Sequence, residues 1–355
     1  MANPLTPDVM ADPVALTRAL VDIESVSLHE KEIADCVEEV LQAVPHLSVE
    51  RFGNTVMART DLGRAQRVVL AGHLDTVPLN DNFPATMQGD LIYGCGTSDM
   101  KAGVAFALHL AVTVPAPRFD VTYFFYEAEE VDSQYNGLNL VAAAHPEWLS
   151  ADFAVLLEPT YGVVEAGCQG TMRALVRTRG RRAHSARSWR GINAIHAAGE
   201  VLARLRAYEP RSVSIDGCTY REGLNAVRIR GGVAGNVVPD LCEVEVNYRF
   251  APDRSEAEAH AHVAEVFDGF EVEVVDSAGG ALPGLSAPAA REFLAAVGEA
   301  PVAKLGWTDV ARFAALGIPA LNFGPGDPNL AHAPDEHVEI GKIRDGAATL
   351  HRWLS

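Results

Sequence analysis

Five residues able to ligate a metal ion, His73, Asp99, Glu130, Glu158 and His332, each follow an apolar run or lie in a loop near one. Two imidazoles and three carboxylates, one of them shared, suffice for two zinc ions ~3.5–4 Å apart with positions open to water and substrate. Taken singly, each also has a structural reading: His73 as a hydrogen-bonded core histidine, Asp99 as a helix N-cap before Met100-Lys101, Glu158 as a surface carboxylate, His332 as a loop residue. Asp75, two residues after His73, points to the same side of an extended segment, where its carboxylate can orient the imidazole. Glu129 and Glu130 are adjacent, and adjacent side chains of an extended chain point apart. They therefore divide the work: one ligates zinc, while the other takes a proton from the attacking water and passes it to a leaving amine.

Residues so far apart in sequence meet only if strands deliver them to one edge. Apolar runs at 67–71, 121–126 and 153–157 lead into His73, Glu127 and Glu158, and a run at 319–323 leads into a Gly/Pro/Asp-rich loop. Helical patterns at 13–23, 30–43 and 101–112 alternate with them, which predicts an α/β layer with a largely parallel sheet and a crevice at the strand C-termini. After Gly170 the pattern changes. Alternating strands at 171–178, 224–230 and 241–250, a helix at 193–208 and a last strand at 270–275 read as an α+β unit of the split βαβ, ferredoxin-like type. The glycine-rich run at 277–284 reads as a linker. The expected organisation is a catalytic domain, 1–170 and 280–355, interrupted by an inserted domain, 171–279.

The chain has 355 residues, 48% hydrophobic and 21% charged, the composition of a folded globular protein. Its net charge of -18 repels phosphate backbones and anionic membranes, so neither nucleic acid nor membrane is expected as a partner. An anionic substrate would need a local group of arginines. The first twenty residues lack a secretory pattern, and the longest uncharged apolar stretch, 103–117, is shorter than the ~20 residues of a membrane helix, so a cytoplasmic location is expected. Five cysteines without a CxxC pair fit reduced, buried thiols. Gly94-Cys95-Gly96 opens neither a GxGxxG nor a phosphate-loop motif.

Gly72-His73-Leu74-Asp75-Thr76-Val77-Pro78, Tyr93-Gly94-Cys95-Gly96-Thr97-Ser98-Asp99-Met100-Lys101-Ala102-Gly103 and Glu129-Glu130 resemble the signatures of the dinuclear zinc M20 peptidase/deacylase family. Glu158-Pro159, Ala183-His184-Ser185-Ala186 and the terminal histidine loop extend the likeness over nearly the whole chain. The resemblance implies a zinc-peptidase-like α/β catalytic domain with an inserted α+β dimerisation domain, two Zn2+ ions for which Co2+ can substitute, and a homodimer. It implies that Asp99 bridges the zincs, that His73 and Glu158 complete one site, and that Glu130 and His332 complete the other. It makes Glu129 the general acid/base, with a cis peptide after Asp99, and has His184 reach the active site of the partner subunit to stabilise the oxyanion.

The substrate implied is a small N-acyl amino acid. Gly306-Trp307-Thr308-Asp309 and Asn322-Phe323-Gly324-Pro325-Gly326-Asp327 resemble the family members that cleave N-succinyl-LL-2,6-diaminopimelate to succinate and LL-2,6-diaminopimelate, in lysine and diaminopimelate biosynthesis. Asn236 and Arg249 resemble positions that bind substrate carboxylates, and Thr308 is a further candidate. Alternatives keep the chemistry and change the substrate to acetylornithine, another acylated amino acid or a dipeptide. A zinc-stabilised, inert binding protein is an alternative of another class, against which Glu129 argues. Three positions depart from the pattern: Ala102 and Val131 stand where glycine is frequent, and Gln169 stands where some members that act on succinyl-diaminopimelate carry a substrate-contacting arginine.

Overall fold

The computed structural model describes residues 3–355. It divides into two compact units, one running through Ala166 with Pro283–Val302 and Arg312–Ser355, the other Gly167–Leu282 with Ala303–Ala311. Residues 303–311 thus depart from the expected boundary. Their contacts explain it: Lys304 O accepts the Gln169 N–H, Thr308 O accepts the Cys168 thiol, and the Trp307 indole donates to Gly279 O. Among the described residues no helix is long and apolar enough to cross a membrane. Cys95, Cys168, Cys218 and Cys242 are buried and Cys36 is half-buried, all as free thiols.

The first unit is built on an eight-stranded sheet. Its four central strands, in spatial order Asp120–Tyr126, Arg67–His73, Phe153–Leu156 and Ala320–Asn322, are parallel. Ser48–Phe52 and Thr55–Arg59 on one flank and Glu165–Ala166 on the other pair antiparallel, so the sheet is mixed rather than largely parallel. The uninterrupted apolar character of the central strands follows from burial on both faces. Helix Ala102–Thr113 is apolar all round and buried along nearly its whole length. Gly103 lets it approach the sheet: a Cβ there would lie 2.0 Å from Leu157 O. The preceding Ala102 has ordinary right-handed backbone (φ -68, ψ -32), and Val131 has no positive φ, so neither departure from glycine strains the chain.

The second unit is a four-stranded antiparallel sheet in the order Gly223–Gly231, Leu241–Phe250, Gly170–Arg179, Glu271–Ala278. Helices Ala194–Ala207 and Glu256–Val266 bury Ala194, Ala198, Val201, Ala259 and Val263 against one sheet face, giving the βαββαβ order of a split βαβ unit. The hairpin Ser212–Ile215/Cys218–Arg221 was not expected; Asp216 and Gly217 turn it at φ 48 and 84. Glu222, which follows it, is 5% exposed and accepts hydrogen bonds from Arg211 (2.8 Å), the Ala251 N–H (3.0 Å) and the Tyr248 hydroxyl (3.0 Å). Burial alone would raise its pKa, but these donors outweigh burial and hold it below the ordinary 4.5. A depressed folded pKa stabilises the fold above the ordinary value and loses that contribution as pH falls through the folded one. Glu222→Gln is therefore expected to cost about 1–3 kcal/mol at pH 7. In denaturant titrations the gap to wild type should shrink below pH 4.5; a constant gap would contradict the assignment.

Candidate metal centre

Parallel register brings the strand ends level: His73 pairs with Tyr126, Ala71 with Leu156, and Leu156 with Asn322. The chain leaving these ends carries Glu129 and Glu130, His73, Glu158 and, after the 323–331 loop, His332. Asp99 arrives from a kinked turn, Thr97–Lys101, where its own backbone is extended (φ -120, ψ 95) and its bond to Met100 is cis.

The five expected ligands meet in two groups that share Asp99: His73, Asp99 and Glu158 in one, Asp99, Glu130 and His332 in the other. Within each group the donor atoms lie within 4.8 Å of one another. His73 Nε2 is 3.2 Å from Asp99 Oδ1, and His332 Nε2 is 3.4 Å from Asp99 Oδ2 and 2.9 Å from Glu130 Oε1. His73 Nδ1 faces two acceptors, Asp75 O at 3.0 Å and Asp75 Oδ1 at 3.4 Å, an arrangement that suits an N–H at Nδ1 and turns Nε2 toward Asp99. Glu129 groups with His73 and Glu130 and belongs to neither group containing Asp99. Of the adjacent pair, Glu130 is the one that stands in a group with Asp99.

The electrostatics match the donor chemistry. Hydrogen bonds to Asp99 and Glu130 push the His332 pKa up to about 10. Burial opposes charge on His73, yet Asp75 and Asp99 raise its pKa well above the usual histidine range. Asp99 is held low by both imidazoles against its own burial. A cluster that attracts positive charge so strongly, with imidazole and carboxylate donors converging on a shared aspartate, fits two divalent cations.

Beyond the contact of Asp75 with His73, a supporting layer escaped the sequence reading. The Asp75 carboxylate accepts the Ser27 hydroxyl at 2.8 Å and the N–H groups of Glu129 and Glu130 at 3.0 and 3.1 Å, besides facing His73. Glu30 Oε1 accepts the Leu28 and Ala128 N–H groups at 2.8 and 3.1 Å, fastening Ala128 in left-handed backbone at φ 58. The loop containing Ser27 and Glu30 thereby shapes the carboxylate pair. The bonds of Asp75 to Ser27, Glu129 and Glu130 and of Glu30 to Ala128 span at least 48 residues and carry no local spacing signal.

The other candidates lie in the second unit. His184 and Asn236 are brought together by a short ladder in which His184 pairs with Val237, and Asn236 O accepts the Ser185 N–H. His184 Nδ1 accepts the Ala186 N–H at 3.0 Å, which puts the proton on the exposed Nε2 as a donor. Arg249 is half-buried beside Asn247 Oδ1 (3.1 Å), with no carboxylate in ion-pair contact among the described residues. Thr308 is buried, its carbonyl held by Cys168. Gln169 is also buried, its amide tied to Arg221 O at 2.8 Å.

Comparison with known proteins places the chain in a family. The chain is 57% identical over 350 residues to a Mycobacterium tuberculosis relative with the provisional name succinyl-diaminopimelate desuccinylase DapE, covering 98% of this chain and 99% of the relative. It is 50% identical over 359 residues to succinyl-diaminopimelate desuccinylase of Corynebacterium glutamicum, covering 98% and 97%. The YXEP protein of Bacillus subtilis, described as a dinuclear metal binding peptidase of the M20 family, shares the fold with a TM-score of 0.69 at 18% identity, over 98% of each chain. The model of peptidase family M20/M25/M40 matches residues 69–355, and with these relatives it establishes that the chain belongs to that metal-dependent family.

Proposed function

We propose that the chain hydrolyses N-succinyl-LL-2,6-diaminopimelate to succinate and LL-2,6-diaminopimelate, using two Zn2+ ions. The observation that carries the reading is the pair of ligand groups sharing Asp99 with Glu129 beside them, in a chain 57% and 50% identical to relatives named for this activity. When bound, the two ions supply Lewis acidity that polarises an amide carbonyl and makes water nucleophilic at neutral pH. Glu129 accepts a proton as water attacks the succinyl carbonyl carbon, then returns it to the nitrogen as the C–N bond breaks, releasing a carboxylate and a free amine. Asp75 holds His73 and both N–H groups of the carboxylate pair, fixing the geometry of this transfer. Turnover of N-succinyl-LL-2,6-diaminopimelate should exceed that of N-acetylornithine under the same zinc loading. The reverse order would replace this reading by another deacylase.

The second unit is the proposed dimerisation domain. Its edge strand Gly223–Gly231 exposes Val227 (56%) and Ile229 (50%), and helix Ala194–Ala207, which contacts this strand, exposes Ile195 and Leu202, the surface expected of a strand awaiting a partner. His184, whose Nδ1 accepts the Ala186 N–H and leaves Nε2 to donate, is the proposed donor to the oxyanion in the partner subunit. Sedimentation should report a dimer, and a fully active monomer would remove both roles.

Asn236, Arg249 and Thr308 are the proposed contacts for substrate carboxylates. Arg249→Lys keeps the charge and loses the planar fork, so kcat/KM for the succinylated substrate should fall about tenfold or more while zinc content holds. A neutral acetylated analogue that loses as much would place the arginine at the amino-acid end instead of the succinyl end.

A further inference from the structure

Glu336 lies four residues beyond His332 and is 2% exposed. Its carboxylate accepts three backbone N–H bonds from the loop that presents Asp99: Gly96 at 3.0 Å, Ser98 at 2.8 Å and Asp99 itself at 3.0 Å. Two further bonds run alongside. Glu336 O accepts the Gly94 N–H at 3.1 Å, and the Ser98 hydroxyl donates to His337 O at 2.8 Å. Strand His337–Glu339 then pairs with Leu91–Tyr93, at the entrance to the same loop. Converging N–H groups form an anion-binding nest, and here the anion is a side chain of the chain's own C-terminal segment.

We propose that Glu336 is a positioning residue that ties the Asp99 loop to the His332 loop and so sets the spacing of two ligands of one metal site. The inference rests on reading Asp99 and His332 as metal ligands. It adds that their geometry is fixed by the protein, through a carboxylate bonded to backbone N–H groups and outside both ligand groups.

Zinc affinity of the full-length protein, measured by competition with a chromogenic chelator, tests it without recourse to activity. Glu336→Gln keeps the shape but turns an amide group toward N–H donors. It should weaken zinc binding about 10–100-fold, the range typical of groups that orient ligands. Leu350→Ala, in the buried face of the last helix, serves as the control for general destabilisation and should bind zinc within twofold of wild type. Equal zinc affinity in the two variants overturns the inference. His332→Ala separates this failure from failure of the ligand reading: unchanged zinc binding in H332A overturns the metal centre, whereas loss in H332A with none in E336Q overturns only the role of Glu336. If E336Q does not fold, Glu336→Asp keeps the charge and shortens its reach toward the three N–H groups. A loss of zinc affinity of about threefold or more then supports the coupling, and an unchanged affinity overturns it.

Discussion

Glu129→Gln is expected to retain two zinc ions and to lose at least the ~10²–10⁴-fold in kcat typical of removing a general acid/base. The substitution keeps the shape and hydrogen-bonding atoms of the side chain and removes its ability to accept a proton. Glu130→Gln should behave differently, because Glu130 stands with Asp99 and His332 in one ligand group. It should release one zinc at chelator concentrations that leave wild type loaded. Metal analysis together with turnover decides the matter. Near-normal activity in E129Q removes its proton-transfer role, and equal metal loss in both variants means that the pair is assigned the wrong way round.

Asp75→Asn should be nearly as damaging although Asp75 belongs to neither ligand group containing Asp99. One of its oxygens faces the Glu129 N–H and His73 Nδ1, the other the Ser27 hydroxyl and the Glu130 N–H. An amide can satisfy only one side, so either rotamer sets an NH2 group against a backbone N–H in a fully buried position. The expected cost is about 10–100-fold in metal affinity or activity. A loss of about 1–3 kcal/mol in stability should accompany it, from the unsatisfied donor. The two effects are read from chelator competition and denaturant titration. A variant with wild-type zinc affinity and kcat/KM would show that His73 and the carboxylate pair hold their places without Asp75.

The chemistry was legible because its residues sit at the ends of apolar runs. The strands at 67–71, 121–126 and 153–157 announce themselves by continuous burial, and a parallel sheet gathers whatever follows them at one edge. The alternation of 171–178 and 241–250 likewise shows a sheet with one covered face, which the helices Ala194–Ala207 and Glu256–Val266 provide. Some signals were present and passed over. Asp216-Gly217 between alternating residues is a strong hairpin signature, and Thr6-Pro7 starts a short helix, Pro7–Ala11, ahead of the first one expected. The antiparallel flanks of the main sheet were not legible, because Ser48–Phe52 and Thr55–Arg59 look the same in sequence whichever way their neighbour runs.

The sequence by itself determined the inventory: which side chains can ligate, which can move a proton, and which runs must be buried, since periodicity and residue type are local properties. The sharing of Asp99 between two ligand groups was implied by the family resemblance, and tertiary structure alone decided what holds it there. That Asp75 grips the backbone of Glu129 and Glu130, and that Glu336 reaches back to the loop of Asp99, depend on segments distant along the chain. Such contacts form because buried N–H groups and carboxylates must find partners wherever the fold sets them down, and that requirement leaves no periodic trace in the order of residues.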